Sequence, residues 1–223
     1  MASIEHWTAC HGYTYLRIGD ELFDQVTAPV REKLMARKPI LADLARLTWL
    51  SSVLAERGGR AIWIDADTLN LDSDWSLPET SHSFFGEECW VQQHQSGRWQ
   101  THIQPHNAFM GFSAESPVLP FLRFLSESLI VRADPDRIAP QMIGPKLLKA
   151  LHNLAQFELL PEAGAVSPAL LAEWVGQRGE AMACYERSTR PGLAMVNLCA
   201  SLVSEGRHQT HIERFLNSAP LPV

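Results

Sequence analysis

The sequence predicts an α/β protein, and two adjoining stretches carry that expectation. "PILADLARLTWLSSVLAERGG" sets Leu44, Leu47, Leu50 and Leu54 at spacings of three and four, one apolar stripe along a helix. "AIWI", Ala61 to Ile64, follows a glycine pair and reads as a buried strand. Helix, glycine turn and apolar strand make half of a β-α-β unit, which favours layered helices and strands over an all-helical bundle. With 223 residues, 46% hydrophobic and 20% charged, the chain can build one substantial core.

Taken in order, "YTYLRI" (Tyr13 to Ile18) is rich in aromatic and β-branched residues and predicts a short strand. "DELFDQVTAPVREKLM" spaces apolar residues among charges and predicts a helix interrupted near Pro29. The main helix opens with Pro39 in its first turn and stops at Gly58-Gly59. After "AIWI", "LDSDWSLPETSHS" is loop-like, and "FFGEECWVQQ" and "NAFMGFSA" predict further strands. "SPVLPFLRFLSESLIV" predicts a helix capped by Ser116, "ADPDRIAP" a turn-rich break, and "PKLLKALHNLA" another helix behind Gly144-Pro145. "QFELLPEAGAVSP" reads as strand then loop, and "GLAMVNLCASL" as a late apolar segment. No repeat or linker divides residues 1–215, expected as one domain, and 216–223 reads as a loose tail.

Composition removes several classes. The formal net charge is −6 and no basic block occurs, so a nucleic-acid partner held through phosphate contacts is not expected. Four scattered cysteines form no C-x-x-C pair, which points away from a zinc ribbon and toward reduced thiols in a cytoplasmic protein. The N-terminal "MASIEHWTACHGY" has no apolar core of a signal peptide, and no run is long enough for a membrane helix. Peripheral attachment to a membrane through a partner stays compatible with this, and oligomeric state is not legible.

The chemistry concentrates at "WIDADTLNL". Residues two apart on a strand share one side, so Asp65 and Asp67 are expected on one face at the strand's carboxyl end. Ligands bind at that edge in open α/β sheets. Two close carboxylates repel, and a hard divalent cation such as Mn²⁺ or Mg²⁺ removes the repulsion. On its own, Asp-x-Asp after a strand also serves simply to cap a turn. Asp43 and Arg46, three apart on the helix, read equally well as an exposed ion pair. Glu87 and Glu88 read as an exposed surface pair. His94, His102 and His106 have spacings that fit no standard zinc pattern and read as loop residues, while Trp90 and Trp99 are candidates to pack in the core or to stack on a ligand.

"LADLARLTWLSSVLAERGGRAIWIDADTLNL" resembles the core signature of the DXD-containing GT-A glycosyltransferases, closest to the family 32 and capsular-polysaccharide type. The pattern S-D-x-x-R-x-x-x-L followed by G-G and D-x-D is matched at Asp43, Arg46, Leu50, Gly58, Gly59, Asp65 and Asp67, with Ala42 where Ser is usual. Weaker echoes are "NAFMGFSAESPVLPFL", "IGPKLLKAL" with Ile143 in place of Thr, and "WTACHGYTYLRIGDE". Relatives often carry a further strand and helix ahead of that last segment.

The resemblance implies a GT-A-like, Rossmann-type open sheet, mostly parallel and flanked by helices. It implies a metal-dependent, retaining glycosyltransferase that moves a sugar from a nucleotide-diphosphate donor to a glycan or other hydroxyl acceptor. By the match, Arg46 and Asp67 are the catalytic residues, and Asp43, Arg46, Asp65 and Asn107 bind the donor. Asp65 and Asp67 hold Mn²⁺ (or Mg²⁺), with Asn197 where the family often places a late His; His208 and His211 are weaker substitutes. Two rivals stand beside this. One is a degenerate GT-A domain that binds a sugar nucleotide or a partner without turnover. The other is a haloacid-dehalogenase-type phosphatase, whose D-x-D-x-[TV] pattern is broken here by Leu69.

Overall fold

The computed structural model describes residues 2–79, 81–155, 157–188 and 190–199, together with Thr210, Glu213 and Arg214. The expected tail over 216–223, and His208 and His211, lie outside the described residues. The chain is α/β, built on two small mixed sheets with helices around them.

Helix α1 (Ala2–Cys10) opens the chain and buries Ile4 and Trp7. Trp7 is 1% exposed and its indole Nε1 donates to the Trp75 carbonyl at 2.8 Å, so its one polar atom is satisfied inside the core. The stretch 13–18, predicted as a strand, has no ladder partner; its apolar groups Tyr13, Tyr15 and Leu16 remain exposed. The β-rich composition is there, but no neighbouring strand takes up its backbone groups. A 3₁₀ turn (Asp20–Gln25) and α2 (Ala28–Leu34) follow, with Pro29 in the first turn of α2, where the missing N–H is harmless. The predicted interruption therefore falls just before the proline.

The main helix α3 (Lys38–Arg57) forms as its pattern demands, with Leu44, Leu47, Leu50 and Leu54 all buried. Each such leucine stabilises the fold by about 2 kcal/mol through burial alone. Gly58 and Gly59 take φ of 65° and 67°, the left-handed conformation that turns the chain into β1 (Arg60–Ile64).

The first sheet has the strand order β1-β4-β3-β5, with β3 (Ser83–Gln93), β4 (Trp99–Ser113) and β5 (Glu158–Leu160). β1 and β3 both run antiparallel to β4, and β3 pairs parallel with β5. The second sheet has the order β2-β7-β6, from β2 (Thr68–Asn70), β6 (Ala163–Ala165) and β7 (Met195–Asn197). There β2 and β7 are antiparallel and β6 and β7 parallel. The expected mostly parallel sheet is thus corrected among the described strands. β3 and β4 are joined by a short turn, and a hairpin forces antiparallel pairing.

Helices α4 (Val118–Arg132) and α5 (Pro145–Ala155) fall where predicted. Ser116 Oγ accepts from the N–H groups of Val118 and Leu119 at 3.2 and 3.4 Å, the expected cap on α4. Two helices not read from the sequence, α6 (Pro168–Trp174) and α7 (Glu180–Glu186), cover one face of the β3–β4 hairpin around Cys89 and Val91. No described helix is long and apolar enough to cross a membrane.

His106 joins the sheets. It is 3% exposed on β4, and its Nε2–H donates to the Ala163 carbonyl of β6 at 2.8 Å while Nδ1 accepts from the Ala108 N–H at 3.2 Å. The loop position expected for it is corrected: it is a core residue. Gly86 leaves it room, since a Cβ there would stand 2.2 Å from His106 Nε2 and 2.3 Å from the Ala163 oxygen.

Gly86→Ala is therefore expected to lower unfolding stability by about 3 kcal/mol in urea titration, from overpacking and a broken buried hydrogen bond; a loss under 1 kcal/mol would show that the sheets do not depend on this contact. Burial pushes the His106 imidazole down from 6.5 to about 4. The unfolded chain then binds more protons than the folded one within that window, so the stability supplied by neutral His106 is lost as pH falls from 6.5 toward 4. The difference in stability between the native chain and His106→Gln should shrink over the same interval; a constant difference contradicts the assignment.

Candidate functional site

The Asp-Ala-Asp segment lies where the chain leaves one sheet for the other. β1 ends at Ile64, opposite Phe109, and the Asp65 N–H prolongs the ladder by donating to the Ala108 carbonyl at 2.8 Å. A turn follows, closed by Thr68 N–H on the Asp65 carbonyl at 3.0 Å, and β2 then pairs Thr68 with Asn197 of the second sheet. The aspartates are brought to one cleft by this turn and not by strand alternation, which corrects the expected geometry while keeping its outcome.

That cleft, of about 490 Å³, is lined by the six residues that the resemblance assigns to donor, metal and catalysis: Asp43, Arg46, Asp65, Asp67, Asn107 and Asn197. They come from α3, the β1–β2 turn, β4 and β7, and span more than half the chain.

Arg46 is the centre. It is 9% exposed and Asp43 is 7% exposed, so the pair is not the surface ion pair that spacing alone allows. Arg46 Nη1 donates to the Asn107 carbonyl at 3.0 Å and lies 3.3 Å from Asp65 Oδ1, while Nη2 is 3.6 Å from Asp43 Oδ1. Its guanidinium carbon stands 5.5 Å from the Trp63 ring centroid, and the same indole donates to Asp65 Oδ1 at 2.6 Å. Asn107 closes the network, its amide donating to Asp43 Oδ1 at 2.7 Å.

The backbone explains why Asn107 is available. Between Phe85 and Gly86 the β3–β4 register jumps from Met110 to His106, leaving residues 107–109 of β4 without partners on β3. Such an irregularity turns backbone groups away from the ladder, and here it gives the Asn107 carbonyl to Arg46. Gly144, ahead of α5, completes the fit, because a Cβ there would come within 2.6 Å of Asp43 Oδ2.

Burial pushes the carboxyls of Asp43 and Asp65 above the usual range, and Arg46 opposes the push in both. At the second sheet, Asn197 Nδ2 donates to Asp67 Oδ1 at 2.6 Å, and its Oδ1 accepts from the Cys199 N–H at 3.0 Å. Asn197 thus turns its amide N–H toward Asp67 and its amide oxygen toward the Cys199 N–H. Asp65 and Asp67 supply carboxylate oxygens, the donor type that suits a hard cation; among the described residues no three His, Cys, Asp or Glu side chains gather as a metal site.

Sequence reasoning undervalued Glu88. It is 8% exposed in the same cleft, takes a hydrogen bond from Gln104 Nε2, and burial pushes its carboxyl upward. Alternation along β3, with Cys89 and Val91 on the packed side, is the signal that would have found it. Glu87 points the other way and is ion-paired with Arg190. His94 sits in the exposed β3–β4 turn, His102 lies on β4 at the cleft, Trp90 lines the cleft, and Trp99 packs against the core near α6 and α7.

No protein-family model matches the chain, and no curated protein or solved structure shows a significant similarity to it.

Replacing Arg46 with Met leaves two buried carboxylates without their cation, at an expected cost of about 3 kcal/mol at neutral pH. Unopposed burial then holds both carboxyls protonated to higher pH, so Arg46→Met should recover stability as the solution is acidified from pH ~7 to ~5. Thermal melts of the variant across that range check this; a deficit independent of pH contradicts it.

Proposed function

We propose that this chain is a GT-A-type, metal-dependent glycosyltransferase that moves a sugar from a nucleotide-diphosphate donor to a hydroxyl acceptor, with retention as the resemblance implies. The observation that carries the proposal is the convergence of Asp43, Arg46, Asp65, Asp67 and Asn107 on one cleft, since the resemblance assigns these residues to the donor and the metal.

The electrostatics support the same reading. Four carboxylates (Asp43, Asp65, Asp67 and Glu88) face one guanidinium (Arg46) in this cleft. Such a site repels a diphosphate unless a divalent cation bridges the two. Asp67 and Asp65 would hold that ion, as carboxylate oxygens suit Mn²⁺ or Mg²⁺. When bound, it would offset charge on the departing diphosphate. Arg46 lowers the negative potential at the pocket wall from a fixed position, so no reorganisation is needed as charge develops. Asp43 keeps Oδ1 for Asn107 and offers Oδ2 to a sugar hydroxyl. Asn107, with its amide committed to Asp43, acts on the donor by positioning that carboxylate.

A second reading is a GT-A-like domain that binds a sugar nucleotide without turnover. It is favoured by the Asn197 amide, which donates to Asp67 where a further metal ligand is expected.

Calorimetry with UDP and GDP should show binding that needs Mn²⁺ and disappears with EDTA, and UDP- or GDP-sugars should be slowly hydrolysed. Asp67→Ala should weaken Mn²⁺-dependent nucleotide binding by tenfold or more. Binding without turnover of any donor selects the second reading. Nucleotide binding that is absent, or indifferent to Mn²⁺ and to Asp67→Ala, removes both.

A further inference from the structure

We propose that the cleft-facing side of the β3–β4 hairpin is a platform for a neutral saccharide, the acceptor of the reaction proposed above, on which this inference rests for its partner. In register, Glu88 stands opposite Gln104, Trp90 opposite His102, and Gln92 opposite Gln100. All six project to one side by strand alternation, and five of them line the same cleft as the aspartates and Arg46. From Glu88 to Gln92 the strip runs about 13 Å, at about 3.3 Å per residue. It leads outward from the donor residues, long enough for a short oligosaccharide.

The platform is firm. On the reverse side Cys89 and Val91 are buried against α6 and α7, so the strip has a packed floor beneath it. Its polar groups are ordered among themselves. Gln92 Nε2 and Gln100 Nε2 each lie 3.0 Å from His102 Nε2, so the three side chains hold one another in place. Gln104 Nε2 is likewise spent on Glu88. Each of these three glutamines has its amide nitrogen engaged within the strip, while its amide oxygen has no partner among the described residues. A row of amide acceptors, an imidazole and a carboxyl around an indole suits sugar hydroxyls and the apolar face of a pyranose ring.

Charge selects among saccharides. The strip carries one carboxyl and no Lys or Arg, and the cleft it enters has four carboxylates to one guanidinium. An acceptor bearing uronate, sulfate or phosphate at this position would be repelled. The occupant is therefore an uncharged glycan.

The test is calorimetric titration of the full chain, without donor, with neutral glucan, mannan and galactan oligosaccharides and with uronic-acid and sulfated ones. At least one neutral oligosaccharide should bind, and acidic ones should bind tenfold more weakly or not at all. Trp90→Ala, and separately Gln92→Ala combined with Gln100→Ala at the exposed end, should each weaken that binding at least tenfold while Mn²⁺-dependent UDP or GDP binding changes less than twofold. Saccharide binding unaffected by both variants, a preference for acidic oligosaccharides, or no binding by any neutral member overturns the platform. If nucleotide binding is absent but the strip variants still abolish saccharide binding, the platform stands and the glycosyltransferase reading falls.

Discussion

One buried guanidinium organises this molecule. Arg46 projects from α3 into the seam between helix and sheet and there meets Asp43, Asp65 and the Asn107 carbonyl. Removing a charge from water costs several kcal/mol, and such pairs seldom stabilise a fold more than apolar residues of equal size would. An apolar core could have closed this seam. Its retention as a charged network makes sense as preorganisation: two carboxylates are held ionisable and aimed into the same space, against a burial that pushes both toward protonation.

The other half of the site depends on where the chain changes sheets. Asp65 belongs to the end of the first ladder and Asp67 to the start of the second, with Leu198 N–H donating to the Asp67 carbonyl at 3.1 Å. The cleft is the gap between the sheets, walled by α3 on one side and the β3–β4 hairpin on another. The same register jump that releases Asn107 to Arg46 sets the hairpin strip beside the aspartates. Asn107 and the strip residues Gln100, His102 and Gln104 thus follow one another along a single strand, β4.

The parts legible in the sequence were those with local causes. The α3 stripe, its glycine stop, β1 and the Ser116 cap are each written within a few residues, and the structure has all of them. Asp43 and Arg46 were found by pattern, yet their burial was not readable, because an i,i+3 pair looks alike on an exposed and a buried face. Sheet direction was missed because the antiparallel return of β4 onto β1 joins residues about fifty apart and leaves no local mark. Residues 99–106 were read as loop because their glutamines, histidines and Pro105 lack an apolar alternation. Their face meets the cleft, so alternation in the usual sense was never required there. His106 escaped because what places it, the Ala163 carbonyl, is distant in sequence, whereas the alternation along β3 did mark Glu88.

The close fit at Gly86 has a consequence for how this fold can change over time. A side chain at 86 and the imidazole at 106 compete for one volume beside the Ala163 carbonyl. Neither position can drift alone: a larger residue at 86 demands a smaller one at 106 and a new donor for the Ala163 oxygen. Homologous chains that share this two-sheet junction should therefore vary at 86 and 106 together or not at all, and that paired history would trace the junction even where the aspartates have been replaced.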